Sequence, residues 1–236
     1  MNLGSDGVIG KLSPGATTSV PFAALPNGGI GSGARFDRAG RLYVADFKSH
    51  KVHVFEPGQT VPGVYFEARE EDPPGKFNQP NDLTMAADGT IYASDPKRSD
   101  GTGRIWRITR GADGKVRGEL LTFGSQPMGV TNGIELSPDE ATLYVGESRT
   151  SSKPARLLAY RLQDGKLVER RTVRSRRHAD RYRWQTFRGA TRCGHGGGIR
   201  SRWNSLAGNP LAKKGSNQSG LRRPRRKNCV RHAKRG

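Results

Sequence analysis

Asparagine and aspartate at the starts of apolar runs are the residues of this chain best placed to do chemistry: Asn81 and Asp82 in QPNDLTM, Asp95 in YASDP and Asn132 in TNGIELSPD. Their amide and carboxylate oxygens can hold a ligand. The same residue types at strand starts commonly cap turns with their own side chains, so the residues alone leave both readings open. Asp95 also belongs to a series. Asp46, Asp95 and Glu147 each follow a tyrosine (Tyr43, Tyr92, Tyr144) by three residues. Recurrence in phase favours a repeated structural role for that acid, and the tyrosines read as packing residues. Other reactive groupings are lacking. No Ser-His-Asp set stands out and no CxxC pair exists. Cys193 and Cys229, with His178, His195 and His232, lack metal-ligand spacing. GHGGG (194–198) has no strand before it and no Lys-Ser/Thr after it, so it is no phosphate loop. His50 and His53, on the Lys48–Val54 hairpin, read as solvated. No catalytic residue is assigned.

The elements that must position these residues repeat. ARFDRAGRLYVADF (34–47), LTMAADGTIYASDP (83–96) and IELSPDEATLYVGES (134–148) share alternating apolar residues, a polar turn and an apolar-Tyr-x-x-acid ending. The turns carry hairpin residues. A second period-two hairpin follows each unit: KVHVFEPG, GRIWRITR and ARLLAYRLQDG. Four strands per repeat of this length is the signature of a β-propeller blade. DGVIGKLSPGA (6–16) matches an outer hairpin without its inner half, which reads as a chain starting within a blade. GADGKVRG and LQDGKL read as edge turns.

Charge divides the chain near Arg174. Residues 1–173 hold 22 Lys+Arg against 20 Asp+Glu, whereas residues 174–236 hold 19 Lys+Arg and one acid, Asp180. The pI of about 10.8 therefore belongs to the C-terminal stretch. That stretch has no sustained alternation and few branched aliphatics, too little to offset ordering entropy. The expected organisation is a partial propeller over 1–173 and a basic, irregular or disordered tail over 174–236.

FNQPNDLTMAADGTIYASDP (77–96) and NGIELSPDEATLYVGES (132–148) resemble the hallmark segments of the gluconolactonase family, which includes regucalcin (senescence-marker protein) and luciferin-regenerating enzyme. The resemblance spans roughly residues 5–173. It implies an all-β, six-bladed propeller, here incomplete, that hydrolyses a sugar lactone with one divalent cation, most often calcium. Such an ion polarises the lactone carbonyl and activates water, and takes hard oxygen ligands. By resemblance Asn132 and Asn81 are metal ligands, and Asn81, Asp82 and Asp95 face the substrate. Two charged ligands of the family pattern are missing: a Glu in an EGP motif, upstream of this chain's start, and an Asp in a DGM motif.

The second absence prompts a test of reading frame. Read from the second base of each codon, Arg176–Arg192 can encode DGMRTDIDGKLFVAR plus two residues, and the stretch RRPRRKNCVRHAKRG can encode GGPDGKTVYVTQSG. Both look like family sequence. A single frame change between about Leu167 and Arg176 is expected, with Arg176 standing where the metal-binding Asp was encoded and with activity impaired. The rival reading is a non-catalytic propeller whose basic tail, with Tyr182, Trp184 and Trp203, holds nucleic acid without sequence preference. The expected partner is a small-molecule lactone, with no specific nucleic acid and no membrane. MNLGSDGVIGKL lacks the basic and apolar regions of a signal peptide, and cytoplasm and periplasm remain equally open.

Overall fold

A computed structural model of the chain describes residues 2–3, 7–69, 75–125 and 127–173. The expectations placed on 174–236, the disordered tail among them, lie outside the described residues. The regular elements among those residues are strands, apart from one short 3-10 turn at Pro26–Gly28. No helix among them is long and apolar enough to cross a membrane.

The strands assemble into successive antiparallel meanders. A three-stranded N-terminal sheet holds β1 (Asn2–Leu3), β2 (Val8–Lys11) and β3 (Val20–Ala24). Sheet one holds β4 (Gly31–Phe36), β5 (Leu42–Asp46), β6 (Lys51–Phe55) and β7 (Gly63–Glu67). Sheet two holds β8 (Leu83–Met85), β9 (Ile91–Lys97), β10 (Thr102–Arg110) and β11 (Val116–Leu121), and β12 (Met128–Gly129) also pairs with β10. Sheet three holds β13 (Thr131–Leu136), β14 (Thr142–Glu147), β15 (Arg156–Gln163) and β16 (Lys166–Thr172). The sequence repeats are thus the first two strands of three equivalent sheets.

Alternation explains the stacking. In β5 every residue of LYVAD is buried. Leu42 and Val44 join Ile9, Leu25 and Phe55 on one face, while Tyr43 and Ala45 join Phe77, Leu83, Ile91 and Trp106 on the other. In β9 the same rule sends Ile91 and Ala93 to sheet one and Tyr92 towards Ile134, Leu143 and Val145 of sheet three. Each fully buried Leu, Ile or Val contributes about 1.5–3 kcal/mol over an exposed one, so a strand buried on both faces ties two interfaces together. Tyr43 and Tyr92 are core residues as expected, but Tyr144 is half-buried, on the face of β14 away from sheet two.

The turn between the first two strands shows how the repeat tolerates an insertion. Gly40 and Gly89 close two of these turns at positive φ, 83° and 87°. In the longer SPDEA turn Glu140 takes that conformation, at 57°, which costs a non-glycine residue about 1–2 kcal/mol. Its carboxylate accepts the backbone N–H of Ala87 in the neighbouring turn at 2.6 Å, which offsets part of the cost. The first strands β4, β8 and β13 lie side by side, and there the oxygen-rich residues gather.

Candidate functional site

The segment leading into β8 is held by one serine. Ser94, fully buried on β9, accepts from Asn81 N through its carbonyl at 2.9 Å and donates its own N–H to the carbonyl of Asp82 at 2.8 Å. Its hydroxyl accepts Asp82 N at 3.0 Å and donates across the sheet interface to the carbonyl of Asn132. Asn81, Asp82 and Asn132 are brought together in this way. On β13 the ladder shifts register between Thr131 and Ile134, which takes Asn132 and Gly133 out of regular pairing. β4 shifts likewise between Gly31 and Ala34. Asn132 donates Nδ2 to Ser148 Oγ at 2.9 Å. The half-buried Asn81 amide has no hydrogen-bond partner among the described residues.

Asp82 is pinned rather than free. Its Oδ1 accepts Leu83 N at 2.9 Å and its Oδ2 accepts Ile134 N of the next sheet at 3.2 Å. Burial pushes its carboxyl above the ordinary value, against the opposing pull of the Arg35 cation. Arg35 Nη1 lies 3.6 Å from Asp82 Oδ1, and Nη2 donates to Glu135 Oε2 at 3.1 Å. Thr84 completes the group by donating Oγ1 to Glu135 Oε1 at 2.6 Å. Arg35, Thr84 and Glu135 pair with Tyr43, Tyr92 and Tyr144 respectively, so they occupy one repeat position on three adjacent strands. Sequence reasoning missed this row. Reading down the repeat opposite the tyrosine would have found a polar residue at that position in each of the three strands.

Asp95 is elsewhere. It is fully buried and its carboxylate accepts Asn78 N at 3.0 Å, Gln79 N at 2.7 Å, Arg104 Nε and Nη2 at 3.0 and 2.7 Å, and Trp106 Nε1 at 2.9 Å. With five donors on its two oxygens, it anchors the approach to β8. The equivalent acids do the same work. Asp46 accepts Ile30 N at 2.9 Å and lies 3.1 Å from His53 Nε2. Glu147 accepts Gly129 N at 2.8 Å and Arg156 Nε at 2.5 Å. Burial alone would raise Asp46, but His53, Ser49 and backbone N–H groups outweigh it and hold the carboxyl well below its usual range. The His53 ring is only 3% exposed, so the solvated reading of that histidine fails: it alternates inwards on β6 to meet Asp46.

A divalent cation would need more donors than these residues supply. The two amides of Asn81 and Asn132 give neutral oxygens of the right hard type, whereas Ca²⁺ takes six to eight. No cluster of three or more His, Cys, Asp or Glu suited to a metal occurs among the described residues. The residues present fit part of an oxygen donor set.

A family model described as the SMP-30/Gluconolactonase/LRE-like region matches residues 64–183. A curated gluconolactonase of Zymomonas mobilis subsp. mobilis is 28% identical over 155 residues, which cover 60% of this chain and 40% of that protein. Among solved structures, a gluconolactonase from Xanthomonas campestris superposes with a TM-score of 0.52 at 23% identity, over 67% of this chain and 52% of that one. A chain of a nidogen/laminin complex superposes with a TM-score of 0.53 at 17% identity, over 72% and 59%. At these identities the superpositions speak to fold. The chain thus spans 40% of the curated relative's length.

Proposed function

Because the chain belongs to the SMP-30/gluconolactonase/LRE-like family, we propose that it acts on a sugar lactone, opening the cyclic ester by hydrolysis. The observation that carries this reading is the Asn81 side-chain amide, free of any partner among the described residues, on a backbone tied through Ser94 to that of Asn132 at the equivalent position of the next first strand. In this reading Asn132 and Asn81 hold a divalent cation, calcium by preference, together with oxygen donors beyond those described. Such an ion supplies Lewis acidity towards the lactone carbonyl. Asn81 and Asp82 meet the sugar hydroxyls. Asp82, already bonded to Leu83 N and Ile134 N, presents a fixed edge and not a mobile base. Asp95 acts one step back, by fixing Asn78 and Gln79 ahead of Asn81.

The architecture behind this reading is a six-bladed propeller of which residues 1–173 supply part. Residues 174–236 are assigned to a changed reading frame, and the activity of the chain as written is taken to be impaired. The family match runs ten residues past the change in charge and covers none of 184–236. The experiment compares hydrolysis of glucono-δ-lactone by this chain and by a frame-restored version, each with added calcium and after chelation. Calcium-dependent turnover in the restored chain, cut at least about tenfold by Asn132→Ala, is expected, consistent with losing a ligand or its support. A restored, folded chain that also carries the upstream EGP glutamate and leaves the lactone at its spontaneous rate would overturn the function. Robust turnover by the chain as written would overturn the impairment.

A further inference from the structure

We infer that Arg35 is a ligand-binding residue that takes an anionic oxygen, so that the site favours an open-chain hydroxy acid over the uncharged polyol of the same length. This rests on the reading that the Asn81–Asp82 segment, with Asp82 3.6 Å from Arg35, meets the ligand. It does not require that the lactone be hydrolysed.

A guanidinium carries five N–H donors in a planar fork. Among the described residues Arg35 makes two hydrogen bonds, from Nη1 to the carbonyl of Ala34 at 3.0 Å and from Nη2 to Glu135 Oε2 at 3.1 Å. Asp82 Oδ1, at 3.6 Å from Nη1, is close enough to attract and too far to accept. Three donors thus remain unengaged by described residues, on a side chain that is 34% exposed. A structural latch would be expected to spend that capacity on its neighbours.

The backbone beneath is fixed in place. A Cβ at Gly33 would fall 2.5 Å from Asp82 Oδ1 and 2.9 Å from the carbonyl of Asn81. β4 is therefore seated directly on the Asn81–Asp82 segment, and Arg35 follows two residues along the same face. Glu135 is oriented from its other side, with Oε1 bonded to Thr84 Oγ1. Its side chain is 44% exposed, so the Arg35–Glu135 contact is open to exchange with a ligand carboxylate, which fits the same fork. Two acids flank one arginine, so the preference for an anion in the parent protein is modest and its sign depends on Arg35.

The test is calorimetric titration of the full chain with gluconate and, separately, sorbitol, at low ionic strength. The parent should bind gluconate about threefold more tightly, a small surplus of one charged hydrogen bond over two nearby repulsions. Arg35→Gln should reverse the preference, leaving Asp82 and Glu135 to repel the carboxylate. Glu135→Gln should raise it to about tenfold by removing the competing acid. Arg35→Lys, which keeps the charge and loses the fork, should fall between parent and Arg35→Gln. Circular dichroism and urea midpoints establish that each variant is folded. A purely structural pair predicts that Arg35→Gln and Glu135→Gln both lower the midpoint and that neither moves the preference. That result, or a parent without preference, overturns the inference. A frame-restored chain that binds gluconate through Arg35 yet opens no lactone keeps it and sinks the enzymatic reading.

Discussion

Replacing Asp95 with alanine removes the acceptor for five donors at once. The Trp106 indole is completely buried, and the N–H groups of Asn78 and Gln79 are partly so. Leaving a buried donor unsatisfied costs about 1–3 kcal/mol, and three such donors at the low end give about 3 kcal/mol. The Arg104 side chain is 25% exposed, so its guanidinium recovers some hydration and adds about 1 kcal/mol. The sum, about 4 kcal/mol, falls inside the range of about 3–5 kcal/mol for breaking a buried pair. It is a large part of the roughly 5–15 kcal/mol that holds a domain together. Asp95→Asn keeps the volume and one acceptor oxygen, and should cost about half as much. Urea unfolding followed by tryptophan fluorescence and by circular dichroism reads the loss, Trp106 reporting from the anchor itself. Asp139→Asn, on the exposed SPDEA turn, should leave the midpoint unchanged. An Asp95→Ala protein that unfolds within about 1 kcal/mol of the parent would refute the reasoning, since that is what ordinary substitutions cost.

Three further outcomes follow from the same geometry. Asp46 is held below its unfolded value of 3.8, so its contribution is complete above about pH 4 and drains away as pH falls towards the folded value. Asp46→Asn should flatten the acid limb of stability measured from pH 2 to 7, and an unchanged limb would contradict the assignment. Burial pushes the Tyr43 hydroxyl up to about 12. The neutral ring thus contributes stability that is present below its unfolded value of 10.0 and lost as pH rises towards 12. Tyr43→Phe should blunt the alkaline loss in that window, read by urea midpoints at stepped pH. Gly33→Ala would drive a methyl to 2.5 Å from Asp82 Oδ1 and 2.6 Å from its Cα, and such overpacking costs about 1–3 kcal/mol. Gly63→Ala, whose nearest neighbour is Val54 Cγ1 at 3.9 Å, is the neutral comparison, and equal midpoints for the two would count against the close seating of β4.

The strands were legible because their signal is local. Period-two alternation and turn residues mark β5, β9 and β14 without knowledge of any partner, and the in-phase acids announced a repeated structural position that Asp46, Asp95 and Glu147 occupy. The site was legible only in part. Asn81, Asp82 and Asn132 stand out by type, and Ser94 gathers them. Arg35 and Glu135 did not stand out, because they are a hundred residues apart in sequence and meet only through the stacking of three sheets. His53 misled for the same reason: a histidine beside a lysine-rich turn looks wet until alternation on β6 is set against the buried carboxylate of Asp46.

The way the sheets are joined bears on how such a chain changes over generations. Each four-stranded ladder is built from consecutive strands, and among the described residues backbone strand pairing between neighbouring repeats is confined to Met128–Gly129 against β10. The other links between sheets are side-chain bonds and apolar contact: Ser94 to Asn132, Asp82 to Ile134, Arg35 to Glu135. A repeat is therefore close to a cassette. Duplicating or deleting one leaves the ladders of the others whole and asks only that two faces fit. Substitutions that retune a face, the Arg35–Thr84–Glu135 row included, can accumulate without unpicking any sheet, so the part of the fold that is easiest to inherit intact lies directly beside the part that is easiest to alter.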